Sequence, residues 1–410
     1  MRTTQNFRDV LPDLESGKFK EISAHDAHSW EAEFYKNSFA KLLTEQWLEL
    51  WAQPFVGLTT DGVITPGLYN RENHEIPIQD IVATAQELIN GCTAAQLRQL
   101  KFPLHARQWR SWSNPEIYIS KYGLRLEEIP DSLKEIIFRI MERTVSPEGY
   151  RKLRHAMKVN AFLGDLVRGP KVLNEHSYNF LLFGDPSTTD AWGWSVYGHH
   201  LCMNVYLHRA QITIAPVFVG AEPNIVDEGP NTGIVMLDRE EALGLQLMQS
   251  LPGDLKKQAQ VYRDMHDERM PPGRWNEADQ RHLCGAFQDN RQVAYEGLPA
   301  SRLDSHQLNL LYWIVEEFII YLPTTARRYR LEQVRQYLDE TYFAWIGGFG
   351  DNDPFYYRIQ SPVIVLEFDH HSGVFLDNKK PAKFHIHTIA RMPNGGDYGN
   401  ALRGAEDRLE

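Results

Sequence analysis

The sequence predicts an α+β fold: a mainly helical N-terminal part, followed by a mixed or antiparallel β-sheet core flanked by helices. Three observations carry this. Up to about residue 145, apolar residues recur at intervals of three and four; after Pro170, β-branched and aromatic runs appear between turn residues; and three more runs of that kind follow residue 354. Leu42, Leu43 and Trp47 place an amphipathic helix over Asn37 to about Leu48, and a second spans Ile78 to Ile89. Thr93 is the cap of a third, Ala94 to Leu100, and Ser113-Asn114-Pro115 marks a loop after Trp109 and Trp112. Asp131 to Arg143 is helical. Ser146-Pro147-Glu148 then supplies a capping hydroxyl and a first-turn proline for a helix carrying Leu153, Met157, Phe162 and Leu166.

Phe180 to Phe183, Trp194 to Leu207 and Gln211 to Val219 read as strands. Leu237 to Leu251 returns to helical spacing with Asp238 as cap. Ser305 to Tyr321 is the most apolar helix, and its Glu316 and Glu317 make it a core helix rather than a membrane span. Arg330 to Phe343 reads as helix. The glycines Gly347, Gly348 and Gly350 precede acidic Asp351 and Asp353, which suits a turn and not a phosphate cradle. Phe355 to Ile359, Val363 to Asp369 and Lys383 to Ala390 read as strands. The division expected is 1–145, mainly helical, and 146–410, α+β and bearing the functional site, packed as one large unit. No internal repeat is present.

Composition narrows the function classes. Of 410 residues, 42% are hydrophobic and 24% charged, and no uncharged apolar run approaches the ~18 residues of a membrane helix, so neither disorder nor a membrane partner is expected. A formal charge of -11, from 54 acidic and 43 basic residues, disfavours nucleic acid. Cys92, Cys202 and Cys284 form no CxxC pair, which argues against a disulfide framework and a thiolate zinc site. The N-terminal segment lacks the apolar run of a secretory signal. The expectation is a cytoplasmic protein acting on a small molecule.

The 16 histidines bunch as His199-His200, His370-His371 and the pair His385, His387. In Phe384-His385-Ile386-His387-Thr388 a two-residue period puts both imidazoles on one face, close enough to share a metal ion, with Arg391 at the same parity. In the preceding strand Glu367 and Asp369 share the face opposite Ile364, Leu366 and Phe368. If the two strands pair antiparallel, carboxylates meet histidines, giving either a mixed metal shell or a carboxylate that orients a ligating ring. On a strand through Gly198 to Asn204, His200, Cys202 and Asn204 share one face and His199 the other, with Trp194 and its neighbours as an apolar wall. HExxH, GxSxG, the P-loop and the dinucleotide glycine fingerprint are all missing from the sequence, which disfavours the chemistries they serve.

These same residues carry a resemblance. Trp192 to Trp194, Gly198-His199-His200-Leu201 with Asn204, Phe218 to Pro223, Val365 to Asp369, His385-Ile386-His387-Thr388, Arg391 and Asp397-Tyr398-Gly399 resemble the pattern of the family called domain of unknown function 3500. The similarity runs through most of the chain from about residue 100. The stretch Asp369 to Leu376 and Pro393-Asn394-Gly395-Gly396 look more like its fungal branch than its bacterial one. The family implies membership and no activity.

The expectation for function is a metal-dependent enzyme performing hydrolysis, or addition or elimination, on a small polar or anionic organic molecule. Its divalent metal, zinc before iron, is held by His200, Glu367, His385 and His387. Asp369, Arg391, His199 and Asn204 are the candidate catalytic residues, with Asp369 as base or orienter and Arg391 as anion clamp; Trp112 and Trp194 line the substrate pocket. Two alternatives use the same residues: a non-haem iron oxidoreductase, and a metal-free binding protein or acid/base enzyme.

Overall fold

A computed structural model describes residues 6–15, 19 and 21–409. The N-terminal stretch assessed for a secretory signal lies partly outside them, at 1–5, 16–18 and 20.

Helices α1 (Ala27–Phe34), α2 (Ser38–Ala52), α3 (Ile78–Gly91), α4 (Ala94–Leu100), α5 (Asp131–Thr144) and α6 (Pro147–Leu166) fill the first part. The signals read at Thr93 and Ser146 act at helix ends, whereas Asp238, read as a cap, is the first residue of its helix, preceded by Leu237 with no side-chain cap. Thr93 and Gln96 form a reciprocal capping box on α4, and the Ser146 hydroxyl accepts from the Gly149 N–H beneath a proline in the first turn of α6. Two short strands, β1 (Lys101–Phe102) and β2 (Leu124–Arg125), also lie here, and both pair with β3 (Tyr178–Phe183). Segment 1–145 thus contributes to the sheet as well as to its helical cover.

The remaining strands are β4 (Ala191–Gly198), β5 (Leu201–His208), β6 (Gln211–Ala221), β7 (Gln260–Tyr262), β8 (Leu298–Pro299), β9 (Tyr342–Gly347), β10 (Phe355–Gln360), β11 (Val365–His370) and β12 (Ile386–Arg391). They form one mixed sheet in the order β1-β3-β4-β5-β6-β12-β11-β10-β9-β7, with β2 on β3 and β8 on β9. Only β1 with β3 and β7 with β9 run parallel. Helices α7 (Asp238–Ser250), α8 (Gly253–Ala259), α9 (Ser305–Phe318) and α10 (Thr324–Gln336) complete the set.

Two readings change. The single run from Trp194 to Leu207 is a hairpin, β4 and β5, because His199-His200 turns the chain between the closing pair Gly198 and Leu201. The helix expected to reach Phe343 stops at Gln336, and Tyr342–Gly347 is an interior strand whose apolar, aromatic residues suit either state by composition.

The pleat sorts the side chains into two layers. Trp192, Trp194, Val196, Leu201, Met203, Leu366, Phe368, Ile386 and Ala390 join the core that includes residues of α5, α6, α7 and α9. Cys202, Phe218, Val365 and Ile389 point to the other side, into a core with Trp47, Trp109, Trp112, Leu283 and Phe287. That second face is roofed partly by the irregular segment 263–297, and it holds the chemistry. No helix among the described residues is long and apolar enough to cross a membrane.

Candidate functional site

The β11 and β12 pairing expected from the sequence is present, antiparallel, with Asp369 opposite His387, Glu367 opposite Ile389 and Val365 opposite Arg391. β6 lies on the other side of β12 and puts Gly220 opposite His387. His200 arrives from the β4–β5 turn, not from within a strand. Its φ of 59° is left-handed, a conformation that costs a non-glycine residue of order 1 kcal/mol, and its carbonyl accepts from the Gly220 N–H at 2.8 Å. Gly220 answers the crowding: a Cβ there would lie 2.7 Å from His200 Cδ2 and 2.8 Å from His387 Cδ2. The glycine lets two imidazoles converge over its backbone.

Three ring nitrogens meet as a result. His385 Nε2 is 3.1 Å from His387 Nε2, which is 3.0 Å from His200 Nε2. All three residues are buried, and their ligand atoms lie within 4.8 Å of one another. The Nδ1 of His385 stands 2.8 Å from the Ser372 carbonyl, which can only accept, so the proton sits on Nδ1 and the Nε2 lone pair faces the cluster. Burial first, then the neighbouring imidazoles, holds His200 and His387 well below the ordinary imidazole pKa. For His385 burial again leads, opposed by the Glu222 carboxylate and the Ser372 carbonyl, and the pKa remains lowered. These rings are neutral at pH 7, the form that ligates.

Other histidines surround them. His199 stacks on His200 with ring centroids 3.8 Å apart, and its Nδ1 is 2.8 Å from Asn160 Oδ1. Burial and the charge that His385 could carry bring its pKa down to about 3. His371, just past β11, packs 3.8 Å from the His387 ring, and His282 lies 6.1 Å from His371 and 6.2 Å from His387. Among the described residues, neither nitrogen of His282 and not the Nε2 of His371 has a hydrogen-bond partner. His371 Nε2 is 3.1 Å from Asp369 Oδ2, but without hydrogen-bond geometry.

The carboxylates are on the expected face and differently employed. Glu367 accepts from the backbone N–H of Leu283 and of Cys284, each at 2.9 Å, and from the Tyr356 hydroxyl at 2.6 Å. Burial would raise its pKa, yet His282, Arg358 and these donors outweigh it and the carboxyl stays below its ordinary value. Glu367 therefore braces the overlying segment and is not one of the three converging groups. Asp369 binds Arg281 at 2.6 Å through Oδ1. Glu222 accepts from the N–H groups of Val374, Phe375 and Leu376, fixing the chain that presents Ser372 to His385.

Three expectations are corrected. Arg391 is no free anion clamp: its Nε donates to Asp397 at 2.7 Å, Nη1 donates to the Cys284 carbonyl at 3.1 Å, and Nη2 donates to Asp289. Asn204 is structural, accepting from the Ser195 hydroxyl at 2.9 Å and donating to the Pro216 carbonyl at 3.2 Å beside a bulge in β5. Trp194 lies on the opposite face, 5.7 Å from Phe180, because its parity in β4 matches Trp192 and Val196. Trp112 is on the site face but one aromatic ring removed: it is 6.2 Å from Phe218, itself 5.2 Å from His387, and it donates to the Tyr398 hydroxyl at 3.0 Å.

An α+β sheet whose face carries a buried, all-histidine convergence defines the class of protein. The chain belongs to the family described as protein of unknown function (DUF3500), which matches residues 74–400. No curated protein and no solved structure matches it.

Proposed function

We propose that the protein is a metal-dependent enzyme in which His200, His385 and His387 hold one divalent cation, zinc before iron, and that it acts on a small polar organic molecule by hydrolysis or by addition or elimination. The observation that carries this is the meeting of three neutral imidazoles. Nitrogens bound at ~2.0–2.1 Å to a tetrahedral cation stand about 3.3 Å from one another, close to the 3.0 and 3.1 Å of the two pairs that include His387, while His200 and His385 lie within 4.8 Å. A ring whose other N–H is tied to a carbonyl, as in His385, is the usual posture of a ligating histidine. Glu367, satisfied by three donors, offers no carboxylate for the two-histidine, one-carboxylate shell of iron oxygenases, which supports zinc.

When bound, the cation supplies Lewis acidity and a water of lowered pKa. The chain's own residues do the rest. His371, whose Nε2 has no hydrogen-bond partner among the described residues, and His282, both buried and neutral, are the groups available to take up or hand on a proton. Asp369 is fixed by Arg281, stands 3.1 Å from His371 Nε2 without a hydrogen bond to it, and is too engaged to be the free base. Against His199 lies a cavity of about 20 Å³, lined also by Ser113, Tyr118, Arg125, Ser177 and Asn179, with room for one water molecule. The cysteines, all free thiols, suit a reducing, cytoplasmic setting.

Elemental analysis of protein purified without a histidine tag tests the reading. Near one equivalent of zinc in the wild type, lost in the His385→Ala, His387→Ala double variant with its fold intact, is the expected result. Absence of metal from both, or metal retained by the double variant, overturns it.

A further inference from the structure

A larger cavity lies away from the histidines. It measures about 320 Å³, within the range of small-molecule sites, and sits between α10, the segment 67–74 and the first half of β6. Ile212, Ile214, Leu322, Ile364 and Ala390 line it, and all five belong to the core on the helical side of the sheet. It also reaches Arg391, Met392 and Leu402, but none of His199, His200, His371, His385 and His387 lines it.

Its polar lining is a built one. Arg330 is 9% exposed, and its guanidinium donates to Gln333 Oε1 and to the Val363 carbonyl, both neutral, with no carboxylate in ion-pair range among the described residues. The fully buried Arg110, Arg281, Arg358 and Arg391 each touch a carboxylate, whereas Arg403, 5% exposed, donates like Arg330 to carbonyls with no carboxylate in ion-pair range among the described residues. The carboxylate whose charge bears on Arg330, that of Asp397, is already held by Arg391 and the Met392 N–H. A buried cation that meets only neutral oxygens and the face of the Tyr69 ring, 5.7 Å away, is costly, and an anion from solution relieves it. His74, also 9% exposed, accepts the Ile212 N–H on Nδ1 at 3.1 Å, so its proton is on Nε2, and no acceptor among the described residues takes that proton. Gln211 donates to the Asn70 carbonyl at 2.9 Å and keeps its oxygen for the cleft. Two exposed glutamates at the rim, Glu72 and Glu332, disfavour a multiply charged guest.

We infer that this cleft is a second binding site, distinct from the histidine centre, for a small organic monocarboxylate: the anion lies against Arg330, His74 provides an N–H donor, and the hydrocarbon rests on Ile214, Leu322 and Ile364. Calorimetric titration with hexanoate, and with hexan-1-ol as the uncharged counterpart, tests it on the intact protein. Hexanoate is expected to saturate one site and to bind at least about tenfold more tightly than the alcohol, the scale of one charge-assisted hydrogen-bonded pair. Arg330→Gln removes that preference and Arg330→Lys restores part of it. Should Arg330→Gln fail to fold, Tyr329→Glu at the mouth, where the ring stands 5.6 Å from His74, sets a negative charge at the entrance and weakens hexanoate without weakening the alcohol. No saturable hexanoate binding, equal binding of acid and alcohol, or a preference that survives both Arg330→Gln and Tyr329→Glu overturns the inference. Loss of hexanoate binding in the His385→Ala, His387→Ala variant also overturns it, because the acid was then bound at the histidine centre.

Discussion

Replacing Asp289 with alanine removes the carboxylate that Arg110 and Arg391 share. In the wild type two guanidiniums and two carboxylates, Asp289 and Asp397, balance within a region where each of the four residues is at most 1% exposed. Asp289 takes Arg110 Nε at 3.0 Å on one oxygen, and Arg391 with the Tyr398 hydroxyl, at 2.9 Å, on the other. Deleting it leaves one positive charge in excess and the Tyr398 proton without its acceptor. Breaking such a buried pair from one side costs about 3–5 kcal/mol. If the loss falls on the native state, unfolding in guanidinium accelerates on the order of 100-fold or more. Adding Arg110→Met to Asp289→Ala restores charge balance with Arg391 and Asp397 alone, so the double variant should be more stable than the sum of the singles by about 1–3 kcal/mol. Unfolding rates followed by tryptophan fluorescence give all four corners of the cycle. A single-variant effect below about 1 kcal/mol, or strict additivity, would refute the charge count and release Arg391 for a role in binding.

Two further outcomes follow from the site. Glu367→Gln offers one acceptor where three donors point, and should lose about 2 kcal/mol of stability in urea while keeping the metal content of the wild type; loss of the metal would put Glu367 back among the ligands. On acidification, the chelator-treated protein should weaken below about pH 6.5, because the unfolded chain binds protons there that buried His199, His200, His371 and His387 refuse, at about 1 kcal/mol per pH unit for each. Asp279, raised to about 7 by burial and by the Glu367 charge, acts with the opposite sign between pH 7 and 4, joined at its acid end by Glu240 and Asp397, which burial also raises. A urea midpoint that holds or rises from pH 7.5 to 5.5 contradicts this.

Much of the site could be read from period alone. Val365 to Asp369 and His385 to Thr388 alternate so regularly that their shared face, and the meeting of His385 with His387, followed from the pleat. His200 was placed by its bunching with His199, though a strand was the wrong support: nothing in Gly198-His199-His200-Leu201 announces a left-handed histidine except the adjacent Gly198. What Glu367 and Arg391 do could not be read, because their partners Leu283, Cys284 and Asp289 lie 84, 83 and 102 residues away in a segment with neither helical nor strand periodicity. The signal there was compositional. Arg281-His282-Leu283-Cys284-Gly285-Ala286-Phe287 mixes charge with small and apolar residues, as a loop does when it is buried. The His370-His371 doublet was visible too, and one of its members, His371, stands against His387.

His200 and His387 lie 187 residues apart in the chain, and the pairing of β6 with β12 brings them together. At roughly 5–20 residues per second, a ribosome spends about 10–40 s between them. Throughout that interval the nascent β3–β6 meander has its layer of tryptophans and an unpaired β6 edge, without the strand that closes it. Such an edge is a template for any neighbouring chain. The cluster of His200, His385 and His387 is therefore incomplete until β12 is made, and a polypeptide stalled before β12 is prone to aggregate.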